Sequence, residues 1–355
     1  MKPFNLVNTK KTCTFASSKL YDMKRDAFWD SLKFVLIFFV VYGHMIETYA
    51  PDNSFNRAMY NFIYTFHMPF FMYVSGLFSQ IKDRAKYRHG ILIILETFIV
   101  FQLIRCIKPI LSGGTFHIDY HIFYPKGTLW YLAYLAVYRI FIYLMPKRCL
   151  NKHPKTIIII SFIIALFWGF IPIGCFEKLL SFFPYFILGY YSYQINIKER
   201  IKKIPLLISV IGIMSIFIFI YYAINYNICY IIYYEASYYL KDPGISPEVF
   251  CLSRMVAYIS AIIISIIIMR IVLYKNVFPQ YGSKTLFIYM YHTFIVLALR
   301  SIIAKGYLPQ NEIILFFYAI AILVGLLILS RISFFTFLMN PISYIQRHKK
   351  KHNDL

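Results

Sequence analysis

KRDAFWDSLKFVLIFFVVYGHMIE, residues 24–47, is the stretch from which the architecture of this chain can be inferred. It passes without a break from a charged start into apolar residues that are numerous enough to enter a bilayer. Lys33 and His44 lie inside that apolar run. Ionisable side chains are costly within a membrane, and those that occur there mark functional sites by default. The stretch therefore predicts a first membrane-spanning helix with a functional polar face.

The spacing of the ionisable residues places them on one side of this helix. From Lys33 to His44 an α-helix rises roughly 16 Å and returns to within about 20° of the same direction. Asp26 and Asp30 precede Lys33 at helical spacing, so we expect both carboxylates to extend the polar face and to neutralise the lysine.

The composition of the whole chain indicates a membrane protein. Of its 355 residues 60% are hydrophobic, and they are grouped in runs of bilayer length. The net charge of +22 lies in short connections between these runs, so no nucleic-acid partner is expected. We predict an all-α, polytopic integral membrane protein with about ten transmembrane helices, near residues 31–49, 58–79, 90–111, 128–145, 156–173, 179–195, 204–224, 251–273, 285–303 and 312–336.

The basic residues alternate between the connections, which predicts the orientation of the spans. Because basic loops stay on the cytoplasmic side, we expect both termini in the cytoplasm and a multi-pass protein of the cell inner (plasma) membrane. The chain then consists of a basic cytoplasmic segment (1–30), a transmembrane domain (31–336) and a basic cytoplasmic tail (337–355). We expect no cleaved signal peptide and, because the six cysteines lack metal-ligand spacing, no metal.

Further polar residues fall near the depth of His44. His67 in the second predicted span reaches a comparable level, and two histidines at one level favour function over packing. His292 in the ninth span either lines the same cavity or packs between helices. Glu47 either accepts the imidazole N–H of His44 or is solvated at the end of the helix. Ser75 either lines the cavity or helps a neighbouring helix come close.

Three other charged residues, Glu96, Arg105 and Arg139, lie within or near predicted spans. A buried charge is costly unless it is paired, so we expect a structural ion pair at each of them.

Together the polar residues describe a shaft that opens with cations on the cytoplasmic side and ends at imidazoles midway through the membrane. Such a shaft suits a ligand with an anionic head and a thin reactive tail, and acyl-coenzyme A has this form. An imidazole beside the thioester could deprotonate an acceptor hydroxyl, since the ordinary pKa of histidine lies close to working pH. The predicted chemistry is acyl transfer.

Four segments, RDAFWDSLKFVLIFFVVYGH (25–44), FHMPFFMYVSG (66–76), LWYLAYL (129–135) and TLFIYMYH (285–292), carry a resemblance to a known family. In order and over nearly the whole chain, they resemble the membrane acyltransferase-3 family, most closely its fucose 4-O-acetylase-like and polysaccharide O-acetyltransferase group. The family's cation-X10-His pair corresponds to Lys33 and His44, with lysine in place of the more usual arginine. Its Arg-x-x-Arg motif corresponds imperfectly to Arg84 and Arg88, which are four residues apart.

The resemblance implies an acetyl-CoA donor, used as a substrate rather than held as a permanent cofactor, and a sugar hydroxyl of exopolysaccharide, capsule or O-antigen type as acceptor. Some members carry an extracytoplasmic esterase-like domain, and we expect none in this chain. We therefore expect either direct modification of a lipid-linked sugar or a separate extracytoplasmic partner. The hypothesised site residues are His44, Glu47 and His67 for catalysis, Lys33, Arg25, Asp30, Arg84 and Arg88 for the donor, and Ser75, Trp130 and His292 for the substrate cavity.

A second class of function fits the same hydropathy. A transporter or flippase of a lipid-linked glycan would use the histidines to relay protons, although inverted repeats and broken helix pairs are not evident. A glycan polymerase usually has a larger outer loop with several arginines. The longest predicted outer connection, residues 225–250, contains no arginine. The sequence leaves open whether acetyl or succinyl is transferred, and whether transfer is direct or passes through an acyl-histidine.

Overall fold

The structure, a computed structural model, describes residues 26–111, 125, 127–168, 177–223 and 246–346. Most of the predicted N-terminal segment and the end of the tail lie outside these residues. In the described part of the chain, regular secondary structure is helical, with short 3-10 turns at Glu47–Tyr49, Gly127–Leu129 and Pro279–Lys284. The α-helices are α1 (Ala27–Ile46), α2 (Ser54–Leu77), α3 (Arg84–Leu111), α4 (Trp130–Leu144), α5 (Lys147–Lys152), α6 (Pro154–Trp168), α7 (Glu177–Ser192), α8 (Ile197–Lys202), α9 (Leu206–Ala223), α10 (Pro247–Tyr274), α11 (Thr285–Ala304), α12 (Glu312–Leu329) and α13 (Ser333–Met339).

The helical structure of the described residues confirms the all-α prediction. Several of these helices are long and apolar enough to cross a membrane, as expected of a polytopic membrane protein. Within the described ranges, seven segments have the length and apolar character for a span: Ala27–Tyr49, Arg84–Ile107, Gly127–Leu144, Leu206–Ala223, Pro247–Tyr274, Pro279–Ala304 and Glu312–Leu329. The other three predicted spans overlap α2, α6 and α7. The latter two helices have only 15 and 16 residues, and α2 carries polar side chains such as Asn56 and Asn61. The number ten and the orientation in the membrane therefore stay predictions.

Helix α1 lies inside the bundle. Its apolar residues Leu32, Ile37 and Met45 are fully buried, and it packs against α2, α11, α12 and the 3-10 turn Pro279–Lys284. In that turn, a Cβ added to Gly282 would lie 2.5 Å from the Cα of Asp30, so only glycine allows this approach. A helix that is apolar on most sides is buried in a protein interior. Since other helices surround α1, its polar face is also turned towards them.

Helices α2 and α7 touch through two glycines in a reciprocal arrangement. A Cβ added to Gly76 of α2 would lie 1.9 Å from the carbonyl oxygen of Phe186 in α7. A Cβ added to Gly189 of α7 would lie 1.9 Å from the carbonyl oxygen of Tyr73 in α2. Small residues allow helix backbones to come into direct contact in this way. This contact fixes the position of α2, which carries His67 and its neighbours.

Glu96 of α3 holds the C-terminal part of the described chain. Its carboxylate accepts the backbone N–H groups of Ile342 (2.5 Å) and Ser343 (3.2 Å) and the hydroxyl of Ser343 (2.5 Å). These residues lie at the start of a helical segment that runs over 341–346, so Glu96 acts as its N-terminal cap. Among the described residues Glu96 forms no ion pair within 4 Å, so the expected pair is wrong there: the carboxylate binds N–H and O–H groups instead.

Candidate active site

Three adjoining cavities follow α1 along its length. The first, which we call the basic cavity, measures about 440 Å³ and includes Lys82 and Lys86 in its lining. The second, the middle cavity, measures about 400 Å³ and includes Ser75. The third, the histidine cavity, measures about 340 Å³ and includes His44 and His67.

Shared residues connect the three cavities. Lys33, Phe78 and Arg139 line both the basic and the middle cavity, and we call these three residues the neck. Tyr289 of α11 lines both the middle and the histidine cavity. The cavities therefore follow one another in the order basic, middle, histidine, and α1 contributes Lys33 near one end and His44 near the other.

Lys33 is neutralised within its own helix. Its Nζ lies 2.7 Å from Oδ1 of Asp30, as the spacing predicts. Asp26 does not take part: Oδ1 accepts the N–H of Phe28 as the cap of α1, and Oδ2 lies 2.5 Å from Nζ of Lys198. The expectation that both carboxylates neutralise Lys33 is therefore correct for Asp30 and wrong for Asp26, which is drawn to a lysine distant in sequence.

His44 is held by a carboxylate and a phenol. Its Nδ1 lies 3.3 Å from Oε2 of Glu47 and 3.1 Å from the hydroxyl of Tyr64. An ionised carboxylate can only accept, so the contact with Glu47 requires the hydrogen on Nδ1 and leaves Nε2 with a lone pair. Glu47 was expected either to accept the imidazole N–H or to be solvated at the helix end, and the structure shows the contact with the imidazole.

Arg300 of α11 completes this arrangement. Its Nη2 donates to the same Oε2 of Glu47 at 3.1 Å and to the backbone carbonyl of His44. One guanidinium thus holds both the carboxylate and the backbone of the helix end that carries the imidazole.

Two further imidazoles surround His44. Both His67 and His292 have Nδ1 at 2.7 Å from a backbone carbonyl of the preceding turn, those of Ile63 and Tyr289. Carbonyls accept, so each Nδ1 donates and each Nε2 is left as an acceptor. The ring centroids of His292 and His44 are 5.3 Å apart. His292 is fully buried, and in the described chain its Nε2 has no hydrogen-bond partner.

A cluster around Arg105 forms another wall of the histidine cavity. Nη2 of Arg105 donates to the hydroxyls of Thr128 (3.0 Å) and Thr293 (2.8 Å). Gly127 precedes Thr128 with φ +53°, and a Cβ there would lie 2.2 Å from Nη1 of Arg105. The left-handed backbone conformation favours glycine at this position, and a side chain there would also have to displace the end of Arg105.

The remaining predicted residues fall in different places. Ser75 contacts the hydroxyl of Tyr131 at 2.6 Å in the middle cavity, and Trp130 lines the histidine cavity with Nζ of Lys178 5.8 Å from its ring. Arg84 is exposed and donates to the carbonyl of Tyr143 at 3.1 Å. Arg88 is also exposed, and neither arginine lines the three cavities. Arg25 lies outside the described residues.

Sequence reasoning did not single out Arg300 or Tyr64 and gave Arg105 only a structural role. Arg300 follows His292 by two helical turns, a spacing that can bring both residues to one face, and this was the available signal. The contacts of Tyr64 and Arg105 join different helices, so local spacing does not indicate them.

The family model described as an acyltransferase domain, that of the acyltransferase 3 family, matches residues 26–340. The matched region includes every helix that lines the three cavities. No curated protein and no solved structure matches the chain.

Proposed function

Because the chain belongs to the acyltransferase 3 family, we propose that it is an integral-membrane O-acetyltransferase that moves an acetyl group from acetyl-CoA to a hydroxyl of a carbohydrate. The family identifies an acyltransferase enzyme, which favours this function over a transporter or flippase of a lipid-linked glycan. The observation that carries the proposal is the imidazole of His44, which lines a cavity with Nδ1 engaged by Glu47 and Nε2 left as a base.

In the proposed reaction, Nε2 of His44 removes the proton of the acceptor hydroxyl while the oxygen attacks the thioester carbon. The O–H and C–S bonds break, a C–O bond forms, and the proton finally joins the coenzyme A thiolate. A positioned general base contributes about 10²- to 10⁴-fold to the rate of such a step. Glu47 keeps the imidazole in the tautomer that can act, and Arg300 keeps Glu47 in place.

The three cavities suit the two substrates unequally. The anionic head of the donor fits the basic cavity, and its thin arm fits the middle cavity, which apolar residues such as Val74, Ile94 and Leu132 line. The roughly 16 Å between Lys33 and His44 along a helix is commensurate with that arm. The acceptor then enters the histidine cavity, where the ring of Trp130 can pack against a sugar.

The acceptor we propose is a glycan of exopolysaccharide, capsule or O-antigen type, modified while it is linked to a lipid or with the help of an extracytoplasmic partner. The proposed location is the cell inner (plasma) membrane, with the basic cavity on the cytoplasmic side, where acetyl-CoA is made. The alternation of basic loops in the sequence supports this orientation.

The test compares His44→Ala with His89→Ala in purified protein reconstituted in lipid nanodiscs. His89 is exposed on α3 and lines none of the three cavities. We expect the His44 variant to lose release of free coenzyme A thiol from acetyl-CoA, and cells that carry it to lose O-acetyl groups from their glycan by mass analysis. The His89 variant should retain both. Unchanged acetylation in the His44 variant would remove the basis of the proposal.

A further inference from the structure

Arg139, one of the three neck residues, has no carboxylate partner among the described residues. Arg139 lies on α4 and lines both the basic and the middle cavity. Its charged group packs over the ring of Tyr87, with the guanidinium carbon 4.7 Å from the ring centroid. Among the described residues, it forms no ion pair within 4 Å, and its buried Nε has no hydrogen-bond partner. The ion pair expected at Arg139 from the sequence is therefore wrong.

The carboxylates that share the basic cavity with Arg139 are engaged elsewhere. Asp26 binds Lys198, and Asp30 binds Lys33. The third carboxylate, Asp83, accepts the backbone N–H groups of residues 85 and 86 at 2.8 and 3.1 Å and so caps the start of α3. Of the two cations at the neck, one is thus neutralised by the protein and the other is not.

A half-buried cation with no counter-charge is costly unless an anion joins it. The guanidinium presents parallel N–H groups that match two oxygens of a phosphate, whereas the single ammonium of Lys33 is already used. Lys82 and Lys86 line the basic cavity beyond the neck and add positive charge on that side. The site therefore suits an anion that carries phosphate oxygens.

We propose that Arg139 is the phosphate-binding residue of the neck, holding a phosphate or pyrophosphate group at the boundary between the basic and the middle cavity. That this phosphate belongs to the coenzyme A donor rests on the proposed function, whereas the anion site itself does not. Arg84 and Arg88 line neither the basic nor the middle cavity, so we expect them to contribute less than Arg139 to binding this group.

The test measures binding of coenzyme A, without an acetyl group, to the purified full chain in nanodiscs by calorimetry. The variants are Arg139→Gln, Arg139→Lys and, as a matched control, Arg148→Gln, an exposed arginine on the short helix α5. We expect about a ten-fold or greater rise in Kd for Arg139→Gln, partial recovery with lysine, and no change in the control, since a hydrogen bond to a charged group is lost. Equal thermal unfolding of the variants verifies that they fold.

A second arm separates a donor phosphate from a lipid headgroup. Nanodiscs of neutral lipid are compared with nanodiscs that contain anionic phosphatidylglycerol, and retained lipid is quantified by mass spectrometry. Weaker binding of coenzyme A by Arg139→Gln supports the site with the donor as its source, and selective loss of anionic lipid supports it with a lipid as its source. If the variant retains both ligands as the unaltered protein does, the proposal is wrong. Because binding needs no chemistry, His44→Ala should leave it intact even where acetyl transfer is lost.

Discussion

Replacing Gly76 by alanine is expected to separate α2 from α7. The new Cβ would lie 1.9 Å from the carbonyl oxygen of Phe186, and ordinary contact requires at least 3.4 Å. The obstructing atom belongs to the backbone, so no side chain can rotate away. The two helices must therefore shift by about 1.5 Å at this point, and overpacking of this kind costs about 1–3 kcal/mol.

The displacement should also reach the proposed chemistry. Helix α2 carries Ser75 beside Gly76, and His67 and Tyr64 two to three turns away. A shift of about 1 Å in positioned groups can reduce a catalysed rate about 100-fold. We therefore expect Gly76→Ala to lower both the midpoint of thermal unfolding in nanodiscs and the turnover of acetyl-CoA.

Two glycines provide the controls. Gly189→Ala meets the carbonyl oxygen of Tyr73 at the same 1.9 Å and should reproduce the effect from the opposite helix. Gly325→Ala on α12 has nothing within 4 Å of its added Cβ and should leave stability and turnover unchanged. If Gly76→Ala were as stable and active as Gly325→Ala, the direct contact between α2 and α7 would be refuted.

Substitutions at two more positions test the surroundings of His44. Arg300→Met should lower kcat with little change in KM for the donor, because Glu47 loses a hydrogen bond that positions it, and Arg300→Lys should recover part of the rate; a change confined to KM would contradict a positioning role. His292→Leu should lower acetyl transfer measured with labelled acetyl-CoA, because it removes the buried acceptor Nε2. His292→Gln, which offers an amide oxygen near the same place, should retain more activity if the group accepts a hydrogen bond, and no more than leucine if it must carry a proton.

Local spacing predicted what lies on a single helix. The step from Lys33 to His44 predicted one polar face of α1, and both residues line adjoining cavities. The contacts of Lys33 with Asp30 and of His44 with Glu47 span three residues each, so helical geometry alone places them within reach. The positions of the helices follow for the same reason, because hydropathy is a property of short segments.

Contacts between distant parts of the chain were not predictable in this way. Asp26 binds Lys198, and Glu47 binds Arg300, and neither pairing follows from helical periodicity. For Arg139 the general rule that buried charges are paired suggested a protein partner, and the rule takes no account of a cavity that can admit an anion. Which charges meet is decided by tertiary packing.

The enclosed position of α1 has a consequence for biosynthesis. α1 is synthesised before α11 and α12, which cover it, so in a membrane protein the nascent helix would meet lipid before these two neighbours exist. During that interval an exposed lysine would disfavour insertion. The pairing of Lys33 with Asp30 is complete within α1 itself, and that of His44 needs only Glu47, the first residue of the 3-10 turn that follows α1. The local pairs therefore reduce the cost of placing these ionisable groups in the bilayer, so α1 can insert before the helices that later pack against it are synthesised.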